Sequence, residues 1–561
     1  MRSRLRRYGL LTYLNLSEAL LRSLGRRPPY GVLTLDIAGD LSEAPVEYRL
    51  LGLSQQARED YLDVLAVLRW AREDAQLRGV LVRCGGLRIG WARVQELHRS
   101  LTALRAAGKT VWVHLTQAGM REYLLASAAS KLILAPAGTL DVAGLSSEVT
   151  FVAGTLKKLG IEAEVIQMGR YKSAAESFTR SNMSAAHREM ADGLIDDLYT
   201  QIVDAIAEGR RMSAANVRAA LDRGPFVGRE AQQLGLVDAL LYPDEAEEQL
   251  VAYCDKAPAI EKRDYLVRRG RTVRRNVLRH SRTCIGVLHL NGTVKMGESI
   301  PGPDAASASG AASVARDLKE LRERDDIGAV VVRVASPGGS GLASDLMWRE
   351  VTRTRQRKPV VVSFGDVAAS GGYYVGVAGK PMIAEGGTIT GSIGVIAGKA
   401  LLRGLYDQVG VTKEVLSRGR HAALYSDYIP LGAEERERLQ AEAEFFYADF
   451  IEKVADGRQL SKEAVAAVAE GRVWTGRQAL QHGLVDQIGG FERALDEAKA
   501  LAGLSPGELV TVERYPKPKR LWKLSFNLSP VHARLAAAAP WLGFMTRERV
   551  WAILPFHFRF F

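Results

Sequence analysis

The sequence predicts an α/β fold built twice, a tandem duplication in which each copy has a mostly parallel sheet flanked by helices. The first observation is a fixed register of recurrence. Val80-Leu81-Val82-Arg83 matches Val330-Val331-Val332-Arg333, and Leu159-Gly160-Ile161 matches Val409-Gly410-Val411, both 250 residues on. Glu164-Val165 and Gly169-Arg170 return as Glu414-Val415 and Gly419-Arg420, and Gly235-Leu236-Val237-Asp238 returns 248 residues on as Gly483-Leu484-Val485-Asp486. A register kept over so long a stretch marks a repeat. The second observation is that short β-branched runs alternate with helical patterns within each copy, as βαβ units require. The third is size: 561 residues, 47% hydrophobic and 25% charged, bury large cores and exclude a stapled miniature or a disordered polymer.

The elements follow in chain order. Residues 1–30 carry a net charge of +6, and Thr12, Asn15, Ser17 and Glu18 interrupt their apolar stretch, so a basic amphipathic segment is expected there. The first copy, 31–260, opens on a strand at Gly31–Asp36 and continues through a helix at Ala57–Glu73, a strand at Val80–Arg83, a helix at Arg93–Ala107 and a strand at Val111–Leu115. Gly108-Lys109 closes the second helix. Residues 261–283, net +7, form a basic linker. The second copy, 284–513, has strands at Ile285–Leu290, Val330–Val334 and Val360–Ser363 and a helix at Val314–Glu323, with Lys358-Pro359 ending the helix before the third strand. The tail, 514–561, is net +8 and mixes Trp522, Phe526, Trp541 and Phe558 with Lys519, Arg520 and Arg559, the composition of a membrane-surface anchor.

The overall +12 thus belongs to the ends and the linker, and the two copies are mildly acidic. No zinc-finger or RNA-recognition signature accompanies it, so a membrane surface is the expected partner and nucleic acid is not. No run of 18 apolar residues is present, which argues against a spanning helix by length. Cys84, Cys254 and Cys284 are odd in number and far apart; they read as buried free thiols, with no metal site.

Chemistry concentrates in two motifs of the second copy. Ser336-Pro337-Gly338-Gly339-Ser340 follows a strand and precedes a helix expected to begin near Ser344, an arrangement that exposes backbone N–H groups to an oxyanion or simply makes a turn. Ala368-Ala369-Ser370-Gly371-Gly372-Tyr373-Tyr374 places a serine among small residues, as a nucleophile or as a packing residue. A nucleophilic serine needs a base. His98 and His187 fall in helices, His114 and His289 in strands, His280 in the linker, His532 and His557 in the tail, and neither His421 nor His482 has triad-like neighbours. A lysine held neutral by burial serves instead. The duplication selects it: Lys172 aligns with Ala422, whereas Ser370 aligns with Met120 through the pair Tyr123 and Tyr373. Each copy has lost what the other kept, and Cys84-Gly85-Gly86 stands where copy two has its fuller glycine loop. One composite site from two half-sites explains both losses.

The motifs SPGGS (336–340), AASGGYY (368–374), TGSIGV (390–395), GRYKSAAE (169–176), VWTGRQA (473–479) and GLVD (483–486) resemble those of the S49 family of serine proteases, in the long tandem form of its signal peptide peptidase A or protease IV members. The resemblance spans roughly residues 30–500. It implies a ClpP/crotonase-like fold for each copy and a Ser-Lys dyad, with Ser370 as nucleophile, Lys172 as general base and Ser392 hydrogen-bonded to the lysine. Gly338 and Gly339 would form the oxyanion hole, with Gly371 a weaker contributor. It further implies a serine endopeptidase that needs no cofactor and no metal, degrades residual signal peptides and other extended apolar peptides, and assembles as a homotetramer at the inner (cytoplasmic) membrane. Two departures stand out: residues 1–30 make no spanning helix, and Gly341 occupies a position where a β-branched residue is common, which assigns it to the substrate pocket. A catalytically silent membrane scaffold and a crotonase-type acyl-CoA enzyme are the competing readings; neither explains the reciprocal loss of Ser and Lys.

Overall fold

The computed structural model describes residues 30–43, 47–50, 53–56, 59–280, 283–302, 307–505, 508–517, 550–553 and 559–560. The basic segment 1–30 lies outside the described residues except for Tyr30, as does most of the tail.

Each copy is built on a parallel sheet, and the two sheets correspond strand for strand. The first runs in the order Ala259–Glu261, Val32–Ala38, Gly79–Gly85, Thr110–Leu115, Lys131–Leu134, Ala239–Leu240. The second runs Thr511–Tyr515, Cys284–Asn291, Ile327–Ser336, Val360–Ala369, Met382–Ala384, Gln487–Ile488. Even the fastenings recur. Tyr123 Oη donates to the Leu236 carbonyl at 3.0 Å, as Tyr373 Oη does to that of Leu484 at 2.8 Å. Asp238 accepts from the Leu132 N–H and from Arg210, as Asp486 does from the Met382 N–H and from Arg458. The fold is therefore α/β, twice.

The β-branched runs read as continuous apolar stretches because both faces of these strands are buried. On the second sheet, Ile285, Val287, Ala329, Val331 and Val361 face a core shared with the first copy, and the alternate residues Val330, Val332, Val360 and Val362 face the second copy's own helices. One face of the second sheet is thus the floor on which the two copies pack.

A third sheet crosses the copies. Glu162–Met168 of copy one pairs antiparallel with Val395–Leu401 of copy two, Met168 opposite Val395 and Glu162 opposite Leu401. It continues through Val550–Ile553, Gly338–Ser340, Thr293–Lys295 and Ala308–Gly310.

Several boundaries differ from the sequence expectations for local reasons. The first helix begins at Tyr61, where Asp60 accepts from the Leu62 and Asp63 N–H groups, and the helix after the glycine loop begins at Gly341, capped by Ser340, three residues before Ser344. The linker is itself a helix, Lys262–His280; Tyr265 is fully buried, edge-on to Tyr30, and its hydroxyl donates to Asp74. The second sheet runs on to Tyr515, past the expected limit at 513. Cys84 and Cys254 are buried, but Cys284, at the start of its strand beside Asp326, is only half-buried, a correction to the expectation of three buried thiols.

Candidate active site

The strand Val360–Ala369 ends at Ser370, which caps the short helix Gly371–Gly376. Ser370 has φ 54° and ψ −116°, a region non-glycine residues avoid at a cost of about 1–3 kcal/mol. Two backbone bonds hold it there: its N–H donates to the Gly391 carbonyl at 2.8 Å, and its carbonyl accepts from the Tyr374 N–H at 2.8 Å. The turn is possible because Ala368, Ala369, Gly371 and Gly372 are all small and buried. It sets the serine on a sharp strand-to-helix turn at the end of the sheet, the geometry of a nucleophile elbow.

Lys172 reaches this hydroxyl through the crossing sheet. With Met168 opposite Val395, the chain leaving Glu162–Met168 turns at Gly169 and delivers Lys172 beside Ser392, which lies just before Val395–Leu401. Lys172 Nζ is 2.7 Å from Ser370 Oγ, 2.9 Å from Ser392 Oγ and 2.9 Å from the Ser392 carbonyl oxygen. All three residues are fully buried. Burial pushes the Lys172 ammonium well below its usual range.

A turn that sequence reasoning missed fixes both partners. The Tyr171 N–H donates to the Glu470 carbonyl at 2.8 Å, the Ser392 N–H to that of Arg472 at 2.7 Å, and the Gly471 N–H to that of Ile393 at 2.7 Å. Gly471 has φ +75°, and a Cβ there would stand 2.5 Å from Lys172 Cβ and 2.6 Å from its Cα. The one local signal was the glycine itself, in a segment some 300 residues from the lysine. Gly471→Ala is expected to displace Lys172; a shift near 1 Å costs on the order of 10²-fold in a reaction that needs an aligned base. The loss should fall on kcat and leave KM unchanged in steady-state kinetics.

The glycine loop forms the strand Gly338–Ser340. The Gly338 N–H donates to Ser336 Oγ at 3.1 Å and is engaged within the loop. Gly339 has φ +156°, and a side chain there would collide with the Val294 carbonyl at 2.0 Å, so the loop needs glycine to lie this close to its neighbour strand. Gly371 is the first residue of its helix, where an N–H has no intrahelical acceptor. Gly341, expected in the substrate pocket, is the buried first residue of the helix Gly341–Arg355, one residue beyond the glycine loop.

Two histidines take other partners: His187 Nδ1 lies 3.1 Å from Glu176, and His421 Nδ1 lies 3.0 Å from Glu435. Burial pushes His289 down to about 3 and His98 to about 4. In copy one, Met120 stands buried at the start of its helix where copy two has Ser370, and Ala422 is exposed in a turn where copy one has Lys172. Among the described residues, Cys284, Asp326 and Glu513 are spaced as metal ligands, but Arg324 already bonds both carboxylates. They sit at the opposite, N-terminal end of the parallel strands from Ser370.

A model of peptidase family S49 matches residues 103–254 and again 352–505. The chloroplastic serine protease SPPA of Arabidopsis thaliana is 32% identical over 498 residues, covering 87% of this chain and 71% of that protein. Protease 4 of Haemophilus influenzae is 31% identical over 78% of this chain and 72% of its own length, and Protease 4 of Salmonella typhi 30% over 85% and 79%. Among solved structures, ClpP1 from Listeria monocytogenes aligns with 36% of this chain and 89% of its own at 13% identity and a TM-score of 0.22.

Proposed function

The chain belongs to peptidase family S49 and is a serine-type peptidase, and on that premise we propose that it cleaves extended apolar peptides, residual signal peptides among them, through a dyad of Ser370 and Lys172. One observation carries the reading: a buried lysine nitrogen 2.7 Å from the hydroxyl of a serine held in a strained elbow.

A neutral amine has two N–H donors and one lone pair. The Ser392 carbonyl can only accept, and the Ser392 hydroxyl accepts the second N–H, so the lone pair faces the Ser370 hydroxyl. As Ser370 Oγ attacks the peptide carbonyl, its proton passes to Lys172 Nζ. In this reading the N–H groups of Gly339 and of Gly371, which directly follows Ser370, stabilise the oxyanion, with Gly338 holding the loop through Ser336. The ammonium then protonates the leaving amine. Water, deprotonated by the same nitrogen, cleaves the acyl-enzyme. No step calls on a cofactor.

Two further parts of the reading concern setting. The basic, aromatic termini support attachment at a membrane surface, the inner (cytoplasmic) membrane in our reading; among the described residues no helix is long and apolar enough to cross one. A homotetramer is supported by residues 411–418, the counterpart of the crossing strand of copy one. In copy two they form no strand and expose Val411, Val415 and Leu416, the last 91% exposed, as a second copy's contact would require.

The test is chemical. The purified chain is expected to hydrolyse a fluorogenic apolar peptide. An activated ester of the same peptide, quenched in acid during turnover, should leave the acyl mass on the fragment containing Ser370. Cleavage with the acyl group on another residue would remove the dyad.

A further inference from the structure

We propose that a strand of the chain's own tail, Val550–Ile553, occupies the peptide-binding slot of the active site and competes there with substrate. The inference rests on the peptidase reading above and adds to it the identity of a resident occupant. Val550–Ile553 is a central strand of the crossing sheet, antiparallel to both of its neighbours. On one side Gly338 faces Ile553, Gly339 faces Ala552 and Ser340 faces Trp551, so its partner is the oxyanion loop itself. On the other side Ile396 faces Trp551 and Ala397 faces Val550, on the strand that follows Ser392.

The polarity is that of a substrate's acyl half. Along the tail from Val550 to Ile553, the facing residues run from Ser340 to Gly338 on one side and back from Ala397 toward Ser392 on the other. The strand therefore advances toward the nucleophile by its C-terminal end, as a peptide must to present a carbonyl to Ser370. Strand addition of this kind draws its affinity from main-chain hydrogen bonds and tolerates varied side chains. The sequence of the occupant, Val-Trp-Ala-Ile, is of the apolar class assigned to the substrate.

Two more observations fit occupation. Ser370 is fully buried, so substrate cannot reach it without displacing part of the chain. Arg559–Phe560 pairs antiparallel with Ser147–Glu148 of copy one, so the tail is fastened again beyond the slot. The residues that follow the strand are Leu554-Pro555, and a proline nitrogen bears no hydrogen and sits in a rigid ring, which disfavours cleavage at that bond. The tail is held and not cut.

An occupant tethered in cis acts at an effective concentration in the millimolar range, and its removal lowers KM while leaving the chemistry alone. Steady-state kinetics on the fluorogenic peptide therefore compare the full chain with one lacking residues 546–561. KM is expected to fall at least threefold with kcat little changed, and a synthetic peptide of residues 546–556 should inhibit the shortened chain competitively. Ala552→Pro in the full chain removes an N–H from the paired strand and should reproduce the fall in KM, a control should the shortened chain aggregate. Intact mass after prolonged incubation should show the C-terminus uncut. If KM is unchanged in both variants while cleavage still depends on Ser370, the occupant is refuted and the peptidase stands. If Ser370→Ala cleaves as well as the full chain, the peptidase reading is what fails. Loss of residues beyond 553 that requires Ser370 would overturn the inference by making the tail a substrate.

Discussion

Lys172→Met is expected to leave a folded chain whose kcat for peptide cleavage is lower by about 10⁴-fold or more, and Ser370→Ala should do the same. Because the two act as one unit, the double variant should be no worse than either single one, and Met120→Ser or Ala422→Lys should matter little. The pH dependence separates a base from a structural lysine. Burial holds the folded ammonium well below its usual range, so kcat/KM of the wild type should rise with pH through that lowered value and then level. The same displacement acts on stability. Between the folded pKa and the unfolded value of ~10.4, the unfolded chain binds a proton that the folded chain does not, so wild-type stability rises with pH across that window. The methionine variant lacks the term. Urea unfolding at pH 7, 8.5 and 10 should therefore show the wild type gaining on Lys172→Met as the pH rises. A constant gap would mean that Lys172 is charged in the folded chain and is not the base.

Arg333→Met is expected to destabilise the chain by about 3–5 kcal/mol, because removing one partner of a buried ion pair strands the other. Arg333 is 1% exposed and bonds Glu43 with two nitrogens, at 2.8 and 3.1 Å, while Glu96 lies 3.7 Å away. It also donates to Ser363 Oγ and the Phe364 carbonyl, on the strand that ends at Ser370. Glu43 and Glu96 come from copy one and Arg333 from copy two, so the pair fastens the copies beneath the active site. Burial alone would raise Glu43, but Arg333 beside it holds its carboxyl below the ordinary range. In the wild type that contributes stability above the unfolded carboxyl pKa of ~4.3, lost as pH falls. In the variant the sign reverses. Glu43 rises and Glu96, already raised by burial, rises further; folding then favours their protonated forms, and the deficit should be largest near pH 8 and smaller near pH 5. Denaturant unfolding at the two pH values checks this. A loss below about 1 kcal/mol at pH 8 would place the pair among interactions that solvent screens.

Much of this was legible in the sequence, for identifiable physical reasons. The first three parallel strands of each copy were read, all but the far end of Val360–Ala369 to within three residues, because strands buried on both faces leave unbroken β-branched runs, whereas the shorter strands at the sheets' other positions were not. Ser370 and Lys172 stood out because the duplication supplied its own comparison, setting each against a residue that cannot do its proposed work, and Ser392 stood out through the resemblance of the TGSIGV motif. What escaped was pairing at long range. Apart from Gly471 itself, nothing local marks the turn at 470–472 as the clamp on Lys172, since its bonds reach segments about 80 and 300 residues away. Arg333 was visible only as a repeat of Arg83, and the two differ in role: Arg83 is a partly exposed partner of Asp36 and Glu261, whereas Arg333 is sealed in the interface. The C-terminal strand escaped because four residues carry no periodicity and their basic, aromatic surroundings read as a membrane segment. The Gly338 N–H was assigned to the oxyanion from its position in the motif, and its bond to Ser336 depends on a rotamer no sequence displays.

The crossing sheet also sets a timetable. Lys172 and Ser370 are 198 residues apart, and at ~5–20 residues per second a ribosome takes about 10–40 s to make the second after the first. Until then the emerging chain carries the proposed base without its nucleophile, and on that reading a product abandoned between the two is inactive. On the proposed reading the two halves of the dyad meet only once Ser370 has been made, and the strand proposed to fill the slot, Val550–Ile553, follows about 180 residues later.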